Sequence, residues 1–180
     1  MGNEATVKSI CALMADILEY PKPDLLDRIR KCIGLVSSVD PKVAALLEES
    51  CSFAKGMSRG RMEEIYTSTF DLQVVCYPYA GYHLFGESHK RGAFMVKLKE
   101  HYRAHGFSTG NELPDHITLI LRFLAIISDK DLTRVLIDEC LIPSLRKMRE
   151  GFKENSNPYG KVIEGLLLVL EGSGPFQKES

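Results

Sequence analysis

Apolar residues along most of the chain recur with a helical period. Val7, Ile10, Cys11, Met14, Ile17 and Leu18 follow the i, i+3, i+4, i+7 spacing of one helix face. Pro21 and Pro23 end that segment and open a second, which carries Leu25, Leu26, Ile29, Ile33 and Val36. Asp40-Pro41 is a start signal: an acceptor side chain at the N-cap, then a proline at the first helical position. Val43, Leu46, Leu47, Ala54 and Met57 form the stripe that follows, and Met62, Ile65, Tyr66 and Thr69 form the next.

Residues 72–87 break the period. Tyr77, Pro78, Tyr79, Gly81, Tyr82, Phe85 and Gly86 crowd together, which predicts a short helix with irregular flanks and a shaped surface. Ser88 is placed to cap the next helix. Its stripe is Phe94, Leu98 and Tyr102, with Gly106 as the stop. Glu112-Leu113-Pro114-Asp115 then opens the most apolar helix, expected to run from about Pro114 to Ile127. Ser128 to Asp131 reads as a capping box for a helix disturbed at Pro143. Asn157-Pro158 starts the last helix, which Gly172 ends. No stretch alternates with period two. The pattern predicts an all-α protein: one bundle domain of about seven or eight helices over residues 1–172, with a flexible tail over 173–180.

Composition narrows the class. The chain has 180 residues, 44% hydrophobic and 26% charged, with 14 Gly and 8 Pro. A globular chain of this size hides roughly 70% of its unfolded surface, enough for a core without staples. Lys and Arg number 23 against 24 Asp and Glu, a net charge of −1. No basic excess favours nucleic acid, and none draws the chain to anionic lipid. The greasiest runs, Ile117–Ile127 and Val162–Leu170, are too short to span a bilayer, and Arg122 and Glu164 interrupt them. Five cysteines, at 11, 32, 51, 76 and 140, form no CxxC pair. Their odd number and the lack of a signal peptide point to a reducing cytoplasm, and Cys11, Cys32 and Cys51 read as small core residues.

Catalytic motifs do not emerge. Gly81 to Ser88 superficially resembles a phosphate loop, but Glu87 occupies the position that needs lysine and no strand precedes it. His101 and His105 share a helix face, yet no third ligand stands at motif spacing, so no metal and no cofactor is expected. Asp115, Thr118 and Arg122, at i, i+3 and i+7, would make one polar stripe on an otherwise apolar helix, with His116 beside it. A charge on such a helix needs a partner or a solvent opening. Two readings stand. One is a solvated strip with local ion pairs. The other is the polar end of a pocket bordered by Tyr66, Tyr77, Tyr82 and Phe85, suited to an apolar segment with cationic flanks.

Five pieces occur in order: Tyr66-Thr-Ser-Thr-Phe70-Asp71, Tyr82-x-x-Phe85-Gly86, His89-Lys90-Arg91-Gly92, Leu98-x-x-x-Tyr102-x-x-x-Gly106-Phe107, and Glu112-Leu-Pro-Asp115-His116. The set resembles the nitrate reductase delta-subunit group of molybdoenzyme assembly chaperones, the NarJ branch of the NarJ/TorD/DmsD family. The likeness is dense over about residues 62–128. It implies an all-helical cytoplasmic chaperone, not an enzyme. Its partner would be the N-terminal, often twin-arginine, segment of a molybdopterin-containing reductase subunit, held until the cofactor is inserted. In that family the Asp-His pair is implicated in binding, which maps onto Asp115 and His116; the aromatics before it suggest Tyr77, Tyr82 and Phe85. With Tyr66, Glu112 and Arg122 these make the candidate peptide-binding set. Helices of this family can exchange between protomers, so a homodimer stays open. Cys76-Tyr77-Pro78 departs from the family pattern at the lip of the groove. The competing classes are a helical adaptor or scaffold, and a nucleotide-dependent regulator, both unrelated to molybdoenzymes.

Overall fold

The computed structural model describes residues 4–152 and 156–172, so the expected tail over 173–180 lies outside the described residues. The fold is all-α. Among the described residues ten α-helical segments occur in chain order: α1 Glu4–Ile17, α2 Leu25–Val36, α3 Pro41–Lys55, α4 Arg59–Tyr66, α5 Ala80–Phe85, α6 His89–Ala104, α7 Ile117–Ile126, α8 Lys130–Val135, α9 Ile142–Glu150 and α10 Pro158–Glu171. A π turn over Leu136–Leu141 joins α8 to α9 without a break, and another over Thr67–Asp71 extends α4. Among the described residues no strand forms, and none of the helices is long and apolar enough to cross a membrane.

Local chemistry sets many boundaries. Asp40 caps α3 by accepting from the Lys42 N–H (2.8 Å), and Asn157 caps α10 by accepting from Tyr159 N–H (3.0 Å), each with proline next. Asp129, not Ser128, caps α8, accepting from Leu132 N–H at 2.9 Å. Ser88 precedes α6 but its hydroxyl turns back to donate to Phe85 O (2.8 Å), leaving no side-chain cap. The disturbance expected at Pro143 is the π turn. Proline has no N–H for the carbonyl four residues back. The chain widens before it, with Ile142 N–H donating to Ile137 O.

The core lies where α1 packs on α2 and α7, α3 packs on α2 and α10, and α10 packs on α9. Ile10, Met14, Leu47, Ile120, Leu121, Phe123, Ile163 and Leu166 are fully enclosed there. Cys11, Cys32, Cys76 and Cys140 are buried, and Cys51 is half-buried. Burial pushes the Cys11, Cys32 and Cys140 thiols up to about 12, so they stay protonated core groups. Met57, expected in the α3 stripe, falls beyond the helix end and is exposed.

The apolar central helix exists but starts later than the sequence suggests. It begins at Ile117, not Pro114. Residues 113–116 instead run beside residues 78–80, where Ala80 N–H donates to Asp115 O and Ile117 N–H donates to Pro78 O, each at 2.8 Å. That isolated antiparallel bridge between Tyr79 and His116 uses backbone groups that a helical first turn would need. Tyr102 hydroxyl, donating to Pro114 O at 2.8 Å, holds the same segment from α6.

Candidate functional site

The late start of α7 divides the expected polar stripe. Asp115 lies outside the helix and turns toward α5 and α6, whereas His116, Thr118 and Arg122 turn toward α1. Two neighbouring surfaces result.

The first is a cleft of about 430 Å³ lined by Glu19, Tyr20, Tyr66, Glu112, His116, Thr118, Leu119 and Arg122, among others. His116 caps α7. The Thr118 N–H donates to its Nδ1 (3.3 Å), and the Thr118 hydroxyl lies 2.7 Å from the same nitrogen. Nδ1 is therefore an acceptor, and the neutral ring carries its proton on Nε2. Burial holds the imidazole below its ordinary pKa; nearby Glu112, Asp115 and Glu19 oppose that shift. Arg122 finds its partners at the end of α1 and just past it: Asp16 at 2.9 Å and Glu19 at 2.6 Å. Asp16 also pairs with Arg28 at 2.9 Å, tying α2 into the network. Arg122 thus follows the ion-pair reading and still borders the cleft. Glu112 is exposed at the rim, accepting from the Tyr79 hydroxyl (3.3 Å) and from Leu113 N–H (2.8 Å). Among the described residues no cation pairs with it. Tyr66 forms the aromatic wall, stacked edge-on against Tyr20 (5.5 Å) and Tyr159 (5.7 Å).

The second surface holds the other predicted aromatics. Tyr77 and Tyr82 pair at 5.4 Å, and Phe85 pairs with Phe94 of α6 at 5.5 Å. Between this surface and the cleft stands Tyr79, which sequence reasoning noticed in the aromatic cluster but did not select. Its ring meets the His116 ring edge-on at 5.2 Å. Burial, with the Glu112 carboxylate beside it, pushes its phenol up to about 12. Asp115 is fully buried, and Arg91 reaches it through Nε at 2.8 Å and Nη2 at 3.4 Å. The Arg91 guanidinium lies 5.5 Å from the Tyr79 ring and 5.9 Å from the Tyr82 ring. Gly81 makes the approach possible: a Cβ there would come 2.7 Å from Asp115 Oδ2 and 3.1 Å from Arg91 Cγ. Below, His83 Nε2–H donates to Tyr77 O at 2.7 Å, and Lys147 donates to His83 O.

The eight predicted residues therefore fall into two groups. Tyr66, Glu112, His116 and Arg122 share the cleft; Tyr77, Tyr82, Phe85 and Asp115 gather around Arg91. Tyr79 joins them. Asp115 does not face solvent, so any contact it makes with a ligand requires Arg91 to move. His101 and His105 lie apart from both groups, and among the described residues no cluster of three or more His, Cys, Asp or Glu is placed to hold a metal ion.

The sequence profile of the nitrate reductase delta subunit matches residues 37–160, which include all eight predicted residues together with Tyr79 and Arg91. The chain belongs to the nitrate reductase delta-subunit family. Its relatives include a probable nitrate reductase molybdenum cofactor assembly chaperone NarJ of Bacillus subtilis, 30% identical over 88% of this chain and 86% of that protein. The Escherichia coli chaperone NarJ is 35% identical over 49% of this chain and 36% of its own length. The probable chaperone NarW of E. coli is 25% identical over 87% of this chain and 66% of its own. Among solved structures, a putative redox enzyme maturation protein from Archaeoglobus fulgidus superposes with a TM-score of 0.62 over 95% of both chains, at 23% identity, and so shares the fold. Membership of the delta-subunit family places the Glu112–His116 turn, the Tyr79–Tyr82 region and the α6 start within one matched unit.

Proposed function

We propose that this protein is a maturation chaperone of a molybdenum-containing reductase. It acts in the cytoplasm, catalyses no reaction itself, and binds the N-terminal segment of the reductase's catalytic subunit until the cofactor is in place. The observation that carries this reading is the identity with the B. subtilis NarJ-type chaperone over 88% of the chain. The geometry supports it. The cleft offers an aromatic wall, an apolar floor at Leu119 and a rim carboxylate at Glu112, which suits an amphipathic segment with a cationic flank. Tyr77, Tyr82 and Phe85 continue the apolar contact beyond Tyr79.

Affinity comes mainly from the aromatic contacts. Exposed ion pairs contribute about 0–1 kcal/mol, whereas a buried aromatic anchor contributes about 2 kcal/mol or more. The test has two stages. The tagged full chain is used to capture partners from its own cells, and the captured polypeptide is identified. The synthetic N-terminal peptide of a captured reductase subunit is then titrated calorimetrically into wild type, Tyr82→Ala and Glu112→Gln. A negative heat-capacity change is expected. Tyr82→Ala should weaken binding more than Glu112→Gln, and Glu112→Gln should flatten the salt dependence. Capture of no molybdoenzyme subunit, together with unchanged molybdenum content of the reductase in cells lacking the chain, refutes the reading. Size measurement across a concentration series tests whether a homodimer carries the activity.

A further inference from the structure

α6 is long and thinly packed. Of its 16 residues only Leu98 and Tyr102 are buried. It carries five Lys and Arg residues against one acid, Glu100, although the whole chain nets −1. Arg91 pairs with Asp115 at 2.8 Å. Among the described residues Lys90, Lys97, Lys99 and Arg103 pair with no acid. Other helices find such partners close by in the chain: Lys8 meets Glu4, Arg28 meets Asp24 and Arg59 meets Glu63, each at 2.8 Å. With Leu98 and Tyr102 turned inward, Lys90 and Lys97 run along one edge of the outer face, and Lys99 and Arg103 along the other. Val96 stands between the edges, 58% exposed.

A second surface has the opposite sign. Along α8 and the π turn after it, Asp131, Val135, Asp138 and Glu139 fall at i, i+4, i+7 and i+8, and all four are exposed. Val135 is 43% exposed. Asp131 meets Arg134 of its own helix at 3.2 Å, whereas Asp138 and Glu139 meet no cation among the described residues. Each surface is therefore an exposed valine flanked by charges of one sign. Among the described residues no ion pair joins the two within a molecule.

We propose that the outer face of α6 in one molecule docks on the α8 face of a second copy, with Val96 against Val135 and the cations of α6 beside Asp131, Asp138 and Glu139. The match of sign and apolar centre lies within this one chain, which selects a second copy over a foreign partner. Lys90 and Lys97 even share the seven-residue step of Asp131 and Asp138. Other polyanions fit less well. α6 exposes no aromatic ring on which a base could stack, and Val96 alone is too little to enter a lipid surface. α6 spans about 24 Å, so the contact is smaller than the roughly 1,200–2,000 Å² of a stable interface. The association is therefore weak and reversible, and salt screens it. It goes beyond the chaperone reading and does not rest on it.

Sedimentation velocity on the full chain reads this directly. In about 0.01 M salt, where charges act over about 30 Å, the wild-type mass should climb with concentration toward twice that of one chain. In about 1 M salt, where they act over about 3 Å, it should stay at one chain. Lys97→Glu/Arg103→Glu should stay monomeric in low salt, and so should Asp138→Lys/Glu139→Lys, because each then presents two faces of like sign. Mixed in equal amounts, these two variants should associate, since the reversed α6 face of one meets the reversed α8 face of the other. Lys31→Glu/Lys42→Glu makes the same change of net charge away from both faces and should associate like wild type. All six positions are exposed, so each variant should keep its fold, which circular dichroism checks. Wild type that stays monomeric up to millimolar concentration in low salt overturns the proposal, even if it binds poly-L-glutamate through Lys97 and Arg103, which would place a foreign acidic partner on α6. A mixture of the two reversed variants that stays monomeric overturns it as well. So does a dimer that survives high salt, the behaviour of exchanged helices held by apolar packing.

Discussion

Gly81→Ala should destabilise the protein, while Gly92→Ala, one helix away, should stabilise it. Both positions are helical, and neither has a positive φ. In the unfolded chain alanine costs less conformational entropy to order than glycine, which favours either variant by about 0.4–1 kcal/mol. The folded state separates them. At Gly92 an added Cβ meets nothing within 4 Å. At Gly81 it would stand 2.7 Å from Asp115 Oδ2, 3.0 Å from Phe94 Cδ1 and 3.1 Å from Arg91 Cγ. The carboxylate is held by Arg91, and Phe94 is packed on Phe85, so neither yields freely. Overpacking of this kind costs about 1–3 kcal/mol. Subtracting the entropic gain leaves Gly81→Ala about 0–2.5 kcal/mol less stable than wild type, and below Gly92→Ala throughout that range. Urea unfolding followed by far-UV circular dichroism measures both, with each kcal/mol worth about 2–4 °C in a parallel thermal scan. If the two variants shift stability in the same direction and by similar amounts, α5 does not lie against the Arg91–Asp115 pair.

Leu121→Ala tests the central helix: the side chain is fully enclosed, so a loss of about 2–5 kcal/mol is expected in the same urea assay, and a loss under about 0.5 kcal/mol contradicts its burial. Acidification tests the buried imidazoles. Burial lowers the pKa of both His83 and His116 below the ordinary 6.5. Just below that value the unfolded chain therefore binds more protons than the folded one, and stability falls as pH falls. Glu19, held below its ordinary 4.5 by Lys22 and Arg122 against the opposing effect of burial, adds its own loss only below about pH 4.5. Urea midpoints at pH 7.5 and 5.5 thus isolate the histidines. Wild type should lose stability between them, and His116→Asn, which keeps a cap acceptor, should lose less; equal losses would exclude His116 from the effect.

The parts of this fold that could be read in advance are those whose cause lies within a few residues. Asp40, Asp129 and Asn157 cap helices through bonds two or three residues long, and the α10 and α1 stripes are plain periodicity. Pro143 announced a disturbance, although its form as a π turn depends on how Leu136–Leu141 packs. The Glu112–Asp115 turn misled because acidic residues and a proline before an apolar run look like a helical first turn. What prevents that turn is a pairing with residues 78–80, more than thirty positions earlier. The same distance hid the site's wiring. Arg91 pairs with Asp115 across 24 positions, and Arg122 pairs with Asp16 across 106. Nothing in the order of the chain states either partner. The aromatics were visible as a cluster; that Tyr79 faces both halves of the site follows from the bridge alone. A local cue did exist, since Tyr79 and Tyr82 are three apart at the start of a short helix and can share a face.

Packing is distributed unevenly, and the candidate site follows that distribution. α1, α3, α7 and α10 surround side chains with no solvent exposure, and their contacts extend along whole helices. α5 has six residues, and the first half of α6 depends on one ion pair and one half-buried phenylalanine. Local opening free energies follow such differences in burial, so the first half of α6 is expected to open at lower free energy than the core. α5 itself is held to α9: the Ser144 hydroxyl donates to Ala80 O at 3.2 Å and Lys147 donates to His83 O. The buried Asp115 carboxylate, paired with Arg91, therefore fastens the less buried half of α6 to an element that is itself fixed.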